Sequence, residues 1–453
     1  MSPRSWLDAH RSEGYLPGLD RVRHALSLLG DPQLSFPSIH VAGTNGKGSA
    51  CASMAYLLQL RMEGPIGFFS SPHLCKIEER IRIDGRPVDG WVLDDALRHV
   101  RRVCESDPDL RLSFYELTFL LAMTVFKQLG VVRAVVETGL GGRLDPTCLV
   151  DADACLVTMI GMDHSEVLGE NLSDIAMEKA AIRRPGRPFL ALLPETMEVQ
   201  QAIRDGAGWD DGCRWVEVGH LGPILHERAD PPQPRSPHKD ASFLTTAAHL
   251  ADAVLSELDL QPTALHLKAL STNFRWIPSD HELLHPSGLV RLTLSGAHNV
   301  DGLRATTRLR HLRNPGSEGH IDVLLFGCTE KSDLDAFLHE LGRFLSIHRP
   351  GVLMLTEPRS GRSPPVTTED LHRRIITSED GPQILIEREP LHAFGAAMSI
   401  ASRLIEERSV TQPTHGRPLD IGILGSLYLI GDLLPSIATR FEVDLDELLS
   451  LGH

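Results

Sequence analysis

Paired cysteines, long apolar runs and an excess of basic charge are all missing from this 453-residue chain. The seven cysteines, at positions 51, 75, 104, 148, 155, 213 and 328, are odd in number and include no C-x-x-C pair. That excludes a disulfide framework and a zinc ribbon, and it fits a reducing, cytoplasmic home. The opening MSPRSWLDAHRSEGYLPG holds no apolar stretch, so no signal peptide is expected. The greasiest region, Leu117 to Val136, is broken by Lys127 and Arg133, and reads as a buried helix followed by a strand, with no membrane partner. A formal charge of −15 repels phosphate backbones at long range, which argues against a nucleic-acid partner. A local basic cleft for a phosphorylated ligand is still compatible with it. Lysine is scarce, seven of the 45 basic residues, so each one draws notice. No coiled-coil heptads occur, which permits a monomer.

What is present is ordinary globular text. The 42% hydrophobic and 23% charged content excludes wholesale disorder, and the length predicts two domains. Short β-rich runs alternate with helix-length amphipathic stretches, the pattern of a mostly parallel α/β sheet flanked by helices. Strands are expected at 38–42, 131–137, 154–160 and 189–193, with helices at 49–60, 114–129 and 172–182. Residues 206–240 turn Gly-, Pro- and charge-rich and read as a surface excursion, before a helix at 242–258. Alternating text then restarts, with strands at 290–294, 323–326, 352–355, 384–386 and 420–424. The domain boundary is placed near 276–287, giving domains 1–280 and 281–453.

Between the first strand and the first long helix lies His40-Val41-Ala42-Gly43-Thr44-Asn45-Gly46-Lys47-Gly48-Ser49. Free backbone N–H groups and a helix N-terminus there attract phosphate oxygens. Glycines let the chain curl, and Lys47 reaches the terminal phosphates. The competing reading is a Gly-rich turn with a solvated lysine. The spacing is not that of the strict P-loop pattern: Val41 stands where the first glycine belongs, and Gly48 separates Lys47 from Ser49.

That departure resembles the loop of the folylpolyglutamate synthase and dihydrofolate synthase family, a branch of the Mur ligases. Further segments are similar to family motifs in the same order: Ser70-Ser71-Pro72-His73-Leu74 with Glu79-Arg80-Ile81, then Glu137-Thr138-Gly139-Leu140-Gly141-Gly142-Arg143-Leu144-Asp145. Ile160-Gly161-Met162-Asp163-His164 and Glu178-Lys179-Ala180 follow, and Gly296-Ala297-His298-Asn299 with Gly425-Ser426-Leu427-Tyr428-Leu429 complete the set. The resemblance covers about residues 35 to 432. It implies an N-terminal P-loop ATPase domain and a C-terminal Rossmann-like ligase domain, with ATP between them.

The resemblance implies a ligase that phosphorylates a carboxylate with ATP and couples the acyl phosphate to an amino acid, glutamate onto dihydropteroate or folate. Such transfer needs magnesium and a cationic clamp. Residues 43–49 would bind ATP, with Lys47 catalytic. Ser71, Glu137 and His164 would hold two magnesium ions, all from the carboxyl ends of strands. Lys179 would be carbamylated, Arg80 would bind the glutamate carboxylate, and His298 and Ser426 would serve the incoming substrate. Each has a plainer competitor: a solvated or paired Glu137, a surface-loop His164, a snorkelling Lys179, an exposed Arg80, a core His298, a capping Ser426.

Three family positions depart from the pattern. Ser242 stands for the asparagine that reads adenine, Trp276-Ile277-Pro278-Ser279-Asp280 replaces W-P-G-R with Arg275 as a stand-in for its arginine, and Ser295 replaces an aspartate at the ribose end. The alternatives are therefore the same chemistry on a non-folate carboxylate, or a non-catalytic nucleotide-binding paralogue. An aromatic-lined groove near Phe114 and Tyr115 would favour a flat pterin.

Overall fold

In the computed structural model the described residues are 2–12, 14, 16–162, 164–217, 243–277, 281–313, 320–361, 363–375, 381–411 and 418–452. The chain forms two compact units, Met1–Phe274 with Ser450–His453, and Arg275–Leu449.

The first unit is built on eight strands: β1 Ser38–Ala42, β2 Ile66–Phe69, β3 Ile81–Ile83, β4 Arg86–Pro87, β5 Arg133–Glu137, β6 Ala152–Val157, β7 Phe189–Leu192 and β8 Cys213–Val216. Their order across the sheet is β4-β3-β2-β5-β1-β6-β7-β8, parallel from β2 to β8, with an antiparallel β2-β3-β4 edge. β1 is buried along its whole length, as an apolar strand covered on both faces must be. The helix Phe114–Gln128 packs on this sheet with twelve of its residues buried, so its apolar run faces core on nearly all sides. Ser113 and Glu116 close its N-terminus in a reciprocal capping box.

The second unit carries β9 His281–Leu284, β10 Val290–Leu294, β11 Val323–Phe326, β12 Val352–Leu355, β13 Gln383–Ile386 and β14 Leu419–Leu424, in the order β13-β12-β11-β14-β10-β9. All pairs are parallel except β9 with β10. This is the α/β class expected.

The differences lie at the edges. β3, β4, β8 and β9 have four residues or fewer and carry charged or turn residues, too short for a periodic apolar signal. β8 falls inside the presumed surface excursion, where it extends the sheet beside β7. The helix expected from Ser49 begins at Lys47, because Gly46 takes the left-handed conformation (φ +83°) and starts it two residues early. Among the described residues, no helix is long and apolar enough to cross a membrane.

Candidate active site

Strand register brings candidate residues of the first unit to the carboxyl ends of central strands. β1 lies between β5 and β6, with Val41 level with Glu137 and Ala42 level with Val157. The loop after β1, the carboxylate ending β5 and the turn after β6 are thus neighbours, where open α/β sheets bind ligands.

Gly43 is held where a Cβ would stand 1.9 Å from Thr158 Oγ1, so no side chain fits. Thr44 turns inward: its hydroxyl donates to Gly161 O (2.9 Å) and accepts from Gly161 N (3.0 Å). The Thr44 and Asn45 N–H groups both donate to Met159 O, at 2.7 and 3.4 Å. These two residues therefore lock the loop to the end of β6. The first-turn N–H groups from Lys47 to Ser49 have no helical acceptor by their position, the kind of helix end that attracts anions. Lys47 Nζ folds back onto Gly43 O (3.0 Å) and Thr44 O (3.1 Å), capping that same loop.

Glu137 is buried, and Ser71 N donates to its Oε2 at 3.3 Å. Burial pushes its carboxyl up to about 7, against the downward pull of Lys47, the Ser71 N–H, Arg80 and Arg82. A carboxylate so poorly compensated suits a divalent cation, which would supply the missing charge. Ser71 and Glu137 fit such an ion. His164 does not join them: it takes φ +48°, its side chain is 52% exposed, and Nδ1 lies 3.6 Å from Glu166 Oε1. Among the described residues no group of three or more His, Cys, Asp or Glu stands arranged to hold a metal.

Arg80 is 2% exposed, not a surface arginine. Its Nε donates to His73 Nδ1 (2.8 Å) and its guanidinium lies over Phe114 (5.4 Å). Arg11 also lies over Phe114, at 4.6 Å. Tyr115 is pressed on the turn after Glu137, where a Cβ on Gly139 would meet its Cζ at 2.4 Å. Both rings are therefore already covered by protein groups.

Lys179 is 3% exposed, so it does not snorkel; its Nζ donates to Gly43 O at 2.9 Å. Its helix is seated by Gly142, where a Cβ would come within 2.5 Å of Glu178 O, and by Arg143 N donating to that carbonyl (3.0 Å). Sequence reading overlooked Asp145, His40 and Arg82. Asp145 accepts from the N–H groups of Gly139 (3.0 Å) and Leu140 (2.9 Å) and fixes the turn after Glu137. Its place eight residues after the glutamate, closing a glycine turn, is the signal that points to it.

In the second unit His298 is exposed, and its Nδ1 hydrogen-bonds to Gly296 O (2.8 Å). A carbonyl only accepts, so the neutral ring carries its proton on Nδ1 and Nε2 is the basic nitrogen. Lys331 Nζ donates to the His298 carbonyl and lies over Phe337 (3.7 Å). Ser426 is a buried N-cap: its Oγ accepts from Tyr428 N (3.1 Å). Gly425 (φ +114°) precedes it, where a Cβ would meet Gly327 O at 2.6 Å. Ser295 Oγ bonds Thr306 Oγ1 (2.8 Å), and Arg275, the arginine stand-in, pairs with Glu447 (3.1 Å). Ser242 and residues 278–280 lie outside the described residues.

No family model matches the chain. The probable bifunctional folylpolyglutamate synthase/dihydropteroate synthase of Haloferax volcanii is 31% identical over 309 residues, 63% of this chain and 35% of that protein. The dihydrofolate synthase/folylpolyglutamate synthase of Bacillus subtilis is 34% identical over 203 residues, 43% of this chain and 47% of that protein. The matches thus span less than half the length of these two relatives. Escherichia coli FolC, solved in complex with DHPP and ADP, shares the fold with a TM-score of 0.76 over 97% of this chain and 98% of that one, at 23% identity. Motifs in shared order and sequence matches agree that the chain is similar to folylpolyglutamate synthases and dihydrofolate synthases, and it shares their two-domain α/β fold.

Proposed function

We propose that this chain is an ATP- and magnesium-dependent carboxylate–amine ligase that adds glutamate to dihydropteroate or a folate. The observation that carries the reading is the convergence of the Lys47 loop with the buried Glu137 carboxylate and Ser71 at the carboxyl ends of neighbouring central strands. The helix N-terminus and Lys47 receive the phosphates of ATP, for which Lys47 leaves the Gly43 and Thr44 carbonyls it now caps. Glu137 and Ser71 would hold the divalent ion, and His164 belongs to the set once its loop turns inward. A bound magnesium supplies charge neutralisation for the transferring phosphoryl group. Buried Lys179 holds the loop through Gly43 O, and its carbamylation belongs to the same proposal. Arg80 offers a guanidinium for a substrate carboxylate. In this reading His298 Nε2 would take a proton from the attacking amine.

Within this reading, residues 1–280 bind ATP and 281–453 form the ligase domain. The protein works as a cytoplasmic monomer on small molecules. Seven unpaired thiols support that compartment. The covering of Phe114 by Arg11 and Arg80 favours a second reading, the same chemistry on a non-pterin carboxylate. Phosphate release from ATP, magnesium and glutamate, with dihydropteroate or tetrahydrofolate added or withheld, separates the two when coupled to mass spectrometry. Pterin-dependent release with an added glutamyl unit supports the folate reading. Release without pterin dependence favours another carboxylate. No nucleotide binding at all overturns both.

A further inference from the structure

A buried hydrogen-bonded chain joins the strand that feeds the phosphate loop to the turn that follows Glu137. It runs from His40 on β1, through Thr147 in the short helical turn Pro146–Leu149, to Asp145. All three residues are buried. Asp145 accepts at Oδ2 from Gly139 N (3.0 Å) and Leu140 N (2.9 Å), and at Oδ1 from Thr147 N (3.0 Å), Tyr115 OH (3.3 Å) and the Thr147 hydroxyl.

The direction of the chain follows from its end. An ionised carboxylate only accepts, so the Thr147 proton points to Asp145. The Thr147 oxygen is then left to accept from His40 Nε2, 2.8 Å away. That fixes the His40 tautomer with its proton on Nε2. His40 Nδ1 has no hydrogen-bond partner among the described residues, so Thr147 is the ring's one polar anchor there. Complete burial holds the ring neutral, its pKa pushed down to about 3. The chain therefore keeps one proton arrangement across neutral pH.

Its ends explain its use. His40 lies three residues before Gly43, and Asp145 clamps the two residues that follow Thr138, whose own N–H donates to Val41 O (2.9 Å). Tyr115 fills the space beneath Gly139, so the turn cannot sag. We propose that His40, Thr147 and Asp145 are positioning residues that set the Glu137 carboxylate relative to the phosphate loop, and with it the affinity for the divalent ion. The proposal rests on the ligase reading for its purpose, but it is tested by metal binding alone.

The test uses the full chain, Mn²⁺ as the probe and spin-resonance titration with ADP present, beside thermal melting and the split between kcat and KM. Thr147→Val removes the hydroxyl and keeps the shape; Thr147→Ser removes the methyl and keeps the hydroxyl. Supporting residues of this kind alter metal affinity by about 10- to 100-fold. Thr147→Val is expected to weaken Mn²⁺ by about 10-fold or more and to lower kcat with the glutamate KM unchanged, and Thr147→Ser to restore binding to within about 2-fold. If Thr147→Val does not fold, His40→Gln, which keeps a terminal N–H, against His40→Leu carries the same contrast. Equal Mn²⁺ affinity in the hydroxyl-free and parent proteins overturns the proposal, as does a loss that follows the methyl. A parent that binds Mn²⁺ and ADP yet ligates nothing defeats the ligase reading and leaves this one to the titration. A parent that binds no Mn²⁺ overturns both.

Discussion

The two sheets present their candidate residues in opposite ways. In the first unit Glu137, Arg80 and Lys179 are buried and held by partners from other segments, so their positions are settled before any ligand arrives. In the second unit His298 is exposed and bonded to its near neighbour Gly296, and Ser426 caps its own helix. Burying charge is expensive and persists only where the surroundings hold it, so preorganisation is concentrated where the proposed phosphate chemistry would need it. The side-chain bonds of these second-unit residues are local, within two residues along the chain. Breaking the first kind should alter binding and stability together. Breaking the second should cost at most a local cap's worth of stability and show mainly in turnover.

The largest effect is expected at Lys47. Lys47→Ala should reduce ATP-dependent turnover by about 10²- to 10³-fold, the cost of losing one transition-state charge contact. The melting temperature should stay within a degree or two, since the lost contacts are two loop carbonyls. Activity surviving the change would remove the loop from the mechanism.

Next comes Glu137→Gln, which should abolish tight Mn²⁺ binding in a titration while raising the metal-free stability. The sign follows from the acidity near 7. A carboxyl whose folded value lies above its unfolded value of about 4.5 holds an extra proton when folded. Its ionisation therefore costs stability progressively from about pH 4.5 to 7, and that cost is fully present above 7. The glutamine variant should lose this pH slope, and the parent's metal affinity should fall as pH drops through 7.

His40 makes the opposite excursion. Its folded value near 3 is below the unfolded one, so stability is complete above about pH 6.5 and is lost on acidification towards 3. The slope is at most about 1.4 kcal/mol per pH unit. His40→Gln should flatten the acid limb of a denaturation series, and an unchanged limb would show that His40 is not the group responsible.

The smallest effects belong to the second unit. Ser426→Ala should cost about 1 kcal/mol of stability through the lost cap, and Ser426→Gly only a few tenths. A fall in turnover much greater than that loss, seen in both variants, would assign the hydroxyl to substrate. His298→Ala should leave stability within about 0.5 kcal/mol, as exposed positions do, while lowering kcat.

Much of the first unit was legible because its signals are local. The apolar β1 run, the glycine-rich turn and a long buried helix sit within a few residues of one another, and backbone sterics alone require Gly46. β3, β4, β8 and β9 were not legible, because runs of two to four residues broken by charged or turn residues show no apolar period and are strands only through their pairing. Of the candidate metal set, Ser71 and Glu137 meet as their strand-end positions suggested, whereas His164 turns to Glu166 through a backbone conformation no pattern announces. Lys179 read from its helix alone as a surface lysine; its burial against Gly43 O excludes that.

The sequence by itself determined the α/β alternation, the glycine-rich turn before the first long helix and the order of motifs, because glycine placement and apolar periodicity act over a few residues. Tertiary structure decided which charges are buried, which hydroxyls are already engaged and which histidine stays neutral. Those properties depend on desolvation and on partners tens to hundreds of residues away, such as Lys179 with Gly43 and His40 with Thr147.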